Sequence, residues 1–204
     1  HVKSVETPKL RVESLSQEEE DLLYRGGYGL QCGIEMHKRA YLYRNEPEAY
    51  LRAVFNSYGV EIEPDRAYIF WEGPHQGGAP DKTFEEAAFI EYIRWMLVFE
   101  EADTLWLCRM TPKKWLESGK TISVTNAPSY YGTISFSVHS DLEHNRIEVS
   151  LSLPANLPRV ALRLRIPENR PIVKVEGVDT GVTFGADTLY LDRPGQDLKF
   201  TVLY

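Results

Sequence analysis

The chain has little cysteine. Of its 204 residues only Cys32 and Cys108 carry thiols, and they stand far apart. This excludes a disulfide-dense scaffold and the zinc modules built on paired Cys-x-x-Cys spacing. Cys32 falls in a helical pattern and Cys108 at the end of a strand pattern, so both read as buried thiols, with a bridge between them left open. Positive charge is also scarce. The 23 Lys and Arg against 30 Asp and Glu leave a net charge of -7. Lys38-Arg39 and Lys113-Lys114 are the only adjacent basic pairs, so nucleic acid is excluded as the main partner. No apolar run approaches the roughly 20 residues of a membrane span, and no membrane partner is expected. A Gly-rich phosphate loop, a nucleophile elbow and metal-ligand Cys/His spacing are all missing. No cofactor and no metal are therefore expected.

What is present describes a globular chain, with 43% hydrophobic and 26% charged residues, large enough to bury a real core. Aromatic residues make up 12%, with 12 Tyr and 4 Trp, which suits carbohydrate binding and sheet packing alike. The chain changes class between Arg94 and Ser140. Before that stretch apolar residues recur at helical spacing; after it come short runs of Val, Ile, Thr, Tyr and Phe between Pro, Gly and Asn clusters. The fold class expected is α+β, with a helical segment over 1–93 and an antiparallel β-sandwich over 94–204.

In the first segment, Ser16 and Glu19 form a capping box that starts a helix over Gln17 to Arg25. A second helix is expected over Gly29 to Tyr43. Asn45 then reads as the N-cap of a third, which Gly59 ends. Residues 60–81 read as a long loop, and the Thr83/Glu86 capping box starts a helix through about Tyr92. Met96–Glu100 and Thr104–Cys108 read as a hairpin. Strands follow at Thr121–Thr125, Gly132–Ser140, Arg146–Leu153, Val160–Ile166, Val173–Val175, Thr188–Leu191 and Asp197–Leu203. Alternation is clean in two of them, with Ile134, Phe136 and Val138 on one face and Ile147, Val149, Leu151 and Leu153 on another.

Reactive groups concentrate in the loop Trp71-Glu72-Gly73-Pro74-His75, which continues through glycines to Lys82. An indole stacks on a sugar ring, and a carboxylate serves glycoside cleavage as acid, base or nucleophile. Glu72 is thus the catalytic candidate, with Trp71, His75 and Lys82 as substrate-binding candidates. The plainer use of these residues is a core Trp and a hydrogen-bonded loop. Cleavage needs a second carboxylate, and Asp81, Glu85 and Glu91 are available for it. Glu35 and His37 lie two apart on a helix and face different ways, which argues against a metal site.

The stretch FWEGPHQGG, DKTFEEAAFIEYIRWMLVFEEADTLWLCRMTPKKWLESGKTISVTNAPSYYGTISFSV and the later RLRIPENRPIVKVEGVDTG resemble the C-terminal region of bacterial six-hairpin glycosidases. Those proteins carry an (α/α)6 toroid followed by a β-sandwich. The resemblance implies the C-terminal part of a carbohydrate-active enzyme, a glycoside hydrolase acting on a polysaccharide or oligosaccharide. It implies two partners, a carbohydrate and an N-terminal part of the same protein that completes the toroid. The fragment would then be incomplete for catalysis. A polysaccharide lyase and a non-catalytic carbohydrate-binding or scaffold module are the alternatives. The compartment is left open, a periplasmic or extracellular one being the expectation.

Overall fold

The computed structural model describes residues 35–63, 66–70, 79, 83–178 and 181–204. The chain divides into two compact units, His1–Ile93 and Arg94–Tyr204.

In the first unit, α1 spans Glu35–Arg44 and α2 spans Pro47–Glu61. Asn45 closes α1 rather than capping α2. Its φ of 59° is left-handed, the Asn45 amide donates to Leu42 O and the Glu46 amide to Tyr41 O. That paired pattern is a Schellman motif, in which Asn is the usual substitute for glycine. Pro47 then opens α2, where a missing N–H costs nothing, and α2 runs through Gly59 instead of ending there. Strands β1 (Ile62–Glu63) and β2 (Arg66–Phe70) form a small antiparallel sheet inside the segment expected to be all loop. Helix α3 (Thr83–Leu97) begins in this unit and ends in the next. Tyr50 on α2 is fully buried and donates its hydroxyl to Tyr92 O at 2.7 Å. Lys38 is buried as well, its ammonium 4.2 Å from the centre of the Tyr92 ring. No described helix is long and apolar enough to cross a membrane.

The second unit is built from strands. The hairpin pairs β3 (Val98–Glu101) with β4 (Thr104–Leu107) around a two-residue turn in which Ala102 has φ 51°. Met96 and Leu97, expected in this hairpin, finish α3 instead. Next come β5 (Thr121–Ser129), β6 (Gly132–Asp141), β7 (Arg146–Ser152) and β8 (Arg159–Arg163). After them follow β9 (Lys174–Glu176), β10 (Val182–Phe184), β11 (Thr188–Asp192) and β12 (Asp197–Leu203). They make two five-stranded sheets, ordered β10-β11-β8-β4-β3 and β5-β6-β7-β12-β9. The pairing is antiparallel except between β4 and β8, which run parallel. β5 is longer than expected because a bulge between Val124 and Ala127 lets it resume pairing.

The two sheets share one core. Val98, Leu105, Leu107, Val160, Leu162 and Leu189 from the first meet Ile122, Phe136, Val149, Leu151 and Phe200 from the second. Each such side chain contributes about 1.5–3 kcal/mol when taken from water, and in β6 and β7 regular alternation turns the intervening residues to the outer face. Buried hydroxyls among the apolar groups find backbone acceptors: Ser140 donates to Leu116 O at 2.7 Å and Thr111 to Cys108 O at 3.0 Å.

The expected toroid does not hold. Among the described residues there are three α-helices, and the fold is β-rich, about 41% strand against 29% helix. Three helices cannot close a ring of helical hairpins. The coarser class, α+β with two mostly antiparallel sheets, stands.

Candidate functional site

The outer face of the β5-β6-β7-β12 sheet carries four triplets of one kind, each an apolar residue between two outward polar ones. They are Ser123-Val124-Thr125, Ser135-Phe136-Ser137, Ser150-Leu151-Ser152 and Asp197-Leu198-Lys199. Strand pairing sets them in register. Val124 faces Phe136, Phe136 faces Leu151, and Leu151 faces Leu198. The apolar side chains turn into the core, so the backbone of this row forms a floor. Short hydroxyl side chains stand on either side of it. One wall is Ser123, Ser137, Ser150 and Lys199; the other is Thr125, Ser135, Ser152 and Asp197.

The result is an open trough of about 580 Å³ running across the strands, within the ~300–1,000 Å³ typical of small-molecule sites. Four strands at 4.7–4.9 Å spacing make it about 14 Å long, and a two-residue step along each strand sets its walls about 7 Å apart. Each Ser or Thr hydroxyl offers one donor and two acceptor positions. Ser135 is partly engaged, accepting from the Asn126 amide at 2.9 Å, which fixes the bulge of β5. Larger β-branched or aromatic residues would pack better across a pleated face, so sheet stability does not explain five serines here.

The opposite outer face, on the β4-β8-β11 side, has a different character. The Arg109 and Arg163 guanidinium carbons lie 4.5 and 5.1 Å from the Trp106 ring centre, and Tyr190 meets that ring edge-on at 6.1 Å. These cations have carboxylate partners, Arg109 with Glu101 and Arg163 with Asp187. Burial lowers the Arg163 guanidinium from its ordinary pKa, and it pulls Arg165 down to about 10, with Arg163 as a like charge adding to the effect. This is a packed, paired layer rather than an open site.

At the β6–β7 turn, Asp141 accepts from His144 Nδ1 at 2.8 Å and from Arg146 Nε at 3.0 Å. The His144 hydrogen bond, with Arg146 in support, holds the Asp141 carboxyl below the ordinary aspartate range. His139 is half-buried, with Nδ1 2.9 Å from Thr121 Oγ1. Among the described residues no group of three or more His, Cys, Asp and Glu could hold a metal ion.

Trp71, Glu72, His75 and Lys82 lie outside the described residues, as does Asp81. Glu85 and Glu91 both fall on α3. The trough was missed in the sequence, although its signal is there. Reading strands for their inward residues singles out Phe136 and Leu151 and passes over the serines on either side of each. The repeated Ser-x-Ser in β6 and β7 was the clue.

Comparison with known proteins returns nothing that would place the chain. No family model matches it, no curated protein matches it, and no solved structure matches it. The resemblance to six-hairpin glycosidases therefore fails in architecture and finds no support from relatives.

Proposed function

We propose that this chain is the carbohydrate-binding part of a carbohydrate-active protein, and that the β5-β6-β7-β12 trough binds the glycan. The observation that carries the reading is the register of the four polar-flanked triplets. It lines one open groove with hydroxyls on both walls and a backbone floor. A polyhydroxylated ligand matches such a surface, because sugar hydroxyls and serine hydroxyls can each donate and accept. Short side chains also let an extended sugar chain lie close to the sheet. Net hydrogen-bond contributions of about 0.5–1.5 kcal/mol apiece, set against the cost of association, point to weak binding, with Kd of about 0.1–1 mM.

The test is calorimetry of the whole chain against a panel of neutral and acidic oligosaccharides, repeated on Ser137→Phe and Ser150→Phe. Both substitutions fill the trough from the solvent side and leave the core untouched. Binding by the parent chain that both variants lose supports the reading. Equal binding by parent and variants would remove the trough from it. The catalytic version of this proposal rests on sequence alone, on Glu72 with Trp71, His75 and Lys82. Its check is release of reducing ends from the glycans that bind, compared between the parent and Glu72→Gln. A lyase would instead release an unsaturated product seen by its ultraviolet absorbance.

A further inference from the structure

Cations on the strand-built unit are mostly paired. Arg159 meets Asp192 at 2.6 Å, Arg146 meets Asp141 at 3.0 Å, and Lys174 meets Glu176 at 2.5 Å. Lys199 differs, since no carboxylate lies within ion-pair distance of it among the described residues. Its cross-strand neighbour on β7 is Ser150. On the β9 side it meets Gly177, whose position leaves a Cβ only 3.2 Å from the Lys199 carbonyl, so no side chain fits there easily. The nearby carboxylates are engaged elsewhere, Glu176 with Lys174 and Glu148 with Arg146. Asp197, two residues before Lys199 on the same outer face of β12, likewise has no ion-pair partner among the described residues. The pair stands about 7 Å apart, one on each wall of the trough. Lys174 and Glu176 bridge across the same spacing on β9, whereas Asp197 and Lys199 make no ion pair with each other among the described residues, which leaves both charges available to a ring lying over β12.

We infer that the β12 end of the trough is a subsite for an acidic sugar, with Lys199 taking the ring carboxylate and Asp197 accepting from ring hydroxyls. This rests on the glycan reading above and sharpens it from polyhydroxylated ligands in general to chains carrying a uronate. The hydroxyl walls hold the chain, and the charged end sets which ring lies over β12. An ammonium in a half-open groove attracts a carboxylate at short range and loses that attraction with salt.

The experiment measures binding of galacturonate and glucuronate trimers to the whole chain, each as the free acid and as its methyl ester, which keeps the hydroxyls and removes the charge. The acid of at least one pair should bind roughly tenfold tighter than its ester, the scale of one charge-assisted hydrogen bond. Lys199→Ala should erase that difference by weakening the acid alone, Lys199→Arg should keep it, and 0.3 M salt should shrink it. Acid and ester binding equally, with Lys199→Ala indifferent to both, would overturn the subsite while leaving the glycan reading in place. Binding of neutral oligosaccharides only would do the same. Failure of every oligosaccharide to bind would overturn both.

Discussion

Cys108 shows how one residue records the cost of turning out of a strand. It leaves β4 with φ 56°, a left-handed angle that few residues other than Gly and Asn adopt. Such a conformation costs on the order of 1–3 kcal/mol and persists only where its surroundings fix it. Here the Cys108 amide donates to Leu97 O, and its carbonyl accepts from the Thr111 hydroxyl at 3.0 Å. Full burial pushes the thiol up to about 12, opposed weakly by Arg165. The folded chain therefore holds this proton more tightly than the unfolded chain, whose thiol titrates near 9.0. The associated stability is complete below pH 9 and drains away as pH rises from about 9 toward 12, at up to about 1.4 kcal/mol per pH unit. Cys108→Ala should flatten the decline of urea-unfolding stability across that window relative to the parent. Identical slopes would show that the thiol contributes nothing. At pH 8 a thiol reagent, located by peptide mapping, should leave Cys108 unmodified until denaturant is added.

At the scale of the element, the edge strand β10 depends on a glycine. Gly181 has φ +73°, and a Cβ there would lie 2.9 Å from the Asp192 carbonyl, while the Asp192 amide donates to Gly181 O at 3.0 Å. Gly181→Ala should cost about 1–3 kcal/mol in urea unfolding. Gly185→Ala, where nothing lies within 4 Å, should fall within about 0.5 kcal/mol of the parent. Equal effects would mean that backbone strain at Gly181 is not what holds β10 against β11. The strands themselves were legible in sequence wherever inward residues alternate cleanly, as in β6 and β7. The Thr83 helix start was legible through its capping box. What stayed hidden depended on partners far along the chain. Asn45 reads equally well as the start of one helix or the end of another, and only the Glu46-to-Tyr41 bond decides. The three residues of β10 are too few to show alternation and exist because β11 pairs with them. The parallel β4–β8 pairing joins residues more than fifty positions apart, which no local pattern encodes.

On the scale of the whole molecule, the helical and strand-built units draw on different parts of the sequence. A resemblance spread over both suggested a ring of helices, and the helix count among the described residues does not allow it. The candidate site shifts with that correction. Sequence reasoning looked for chemistry where reactive side chains crowd together, around Glu72. The strand register instead gathers unreactive hydroxyls from four separate strands into one groove. Residues that distant in sequence become neighbours only once pairing is known, so the groove could be suspected from Ser-Phe-Ser and Ser-Leu-Ser but not built from them. The most direct measurement of the central claim is a map of backbone amide chemical shifts of the whole chain, titrated with the tightest oligosaccharide from the panel. The account predicts that perturbed residues fall on the outer triplets of β5, β6, β7 and β12, centred on Ser137, Ser150 and Lys199. Perturbations confined to residues 71–82, with the sheet face unchanged, would contradict it.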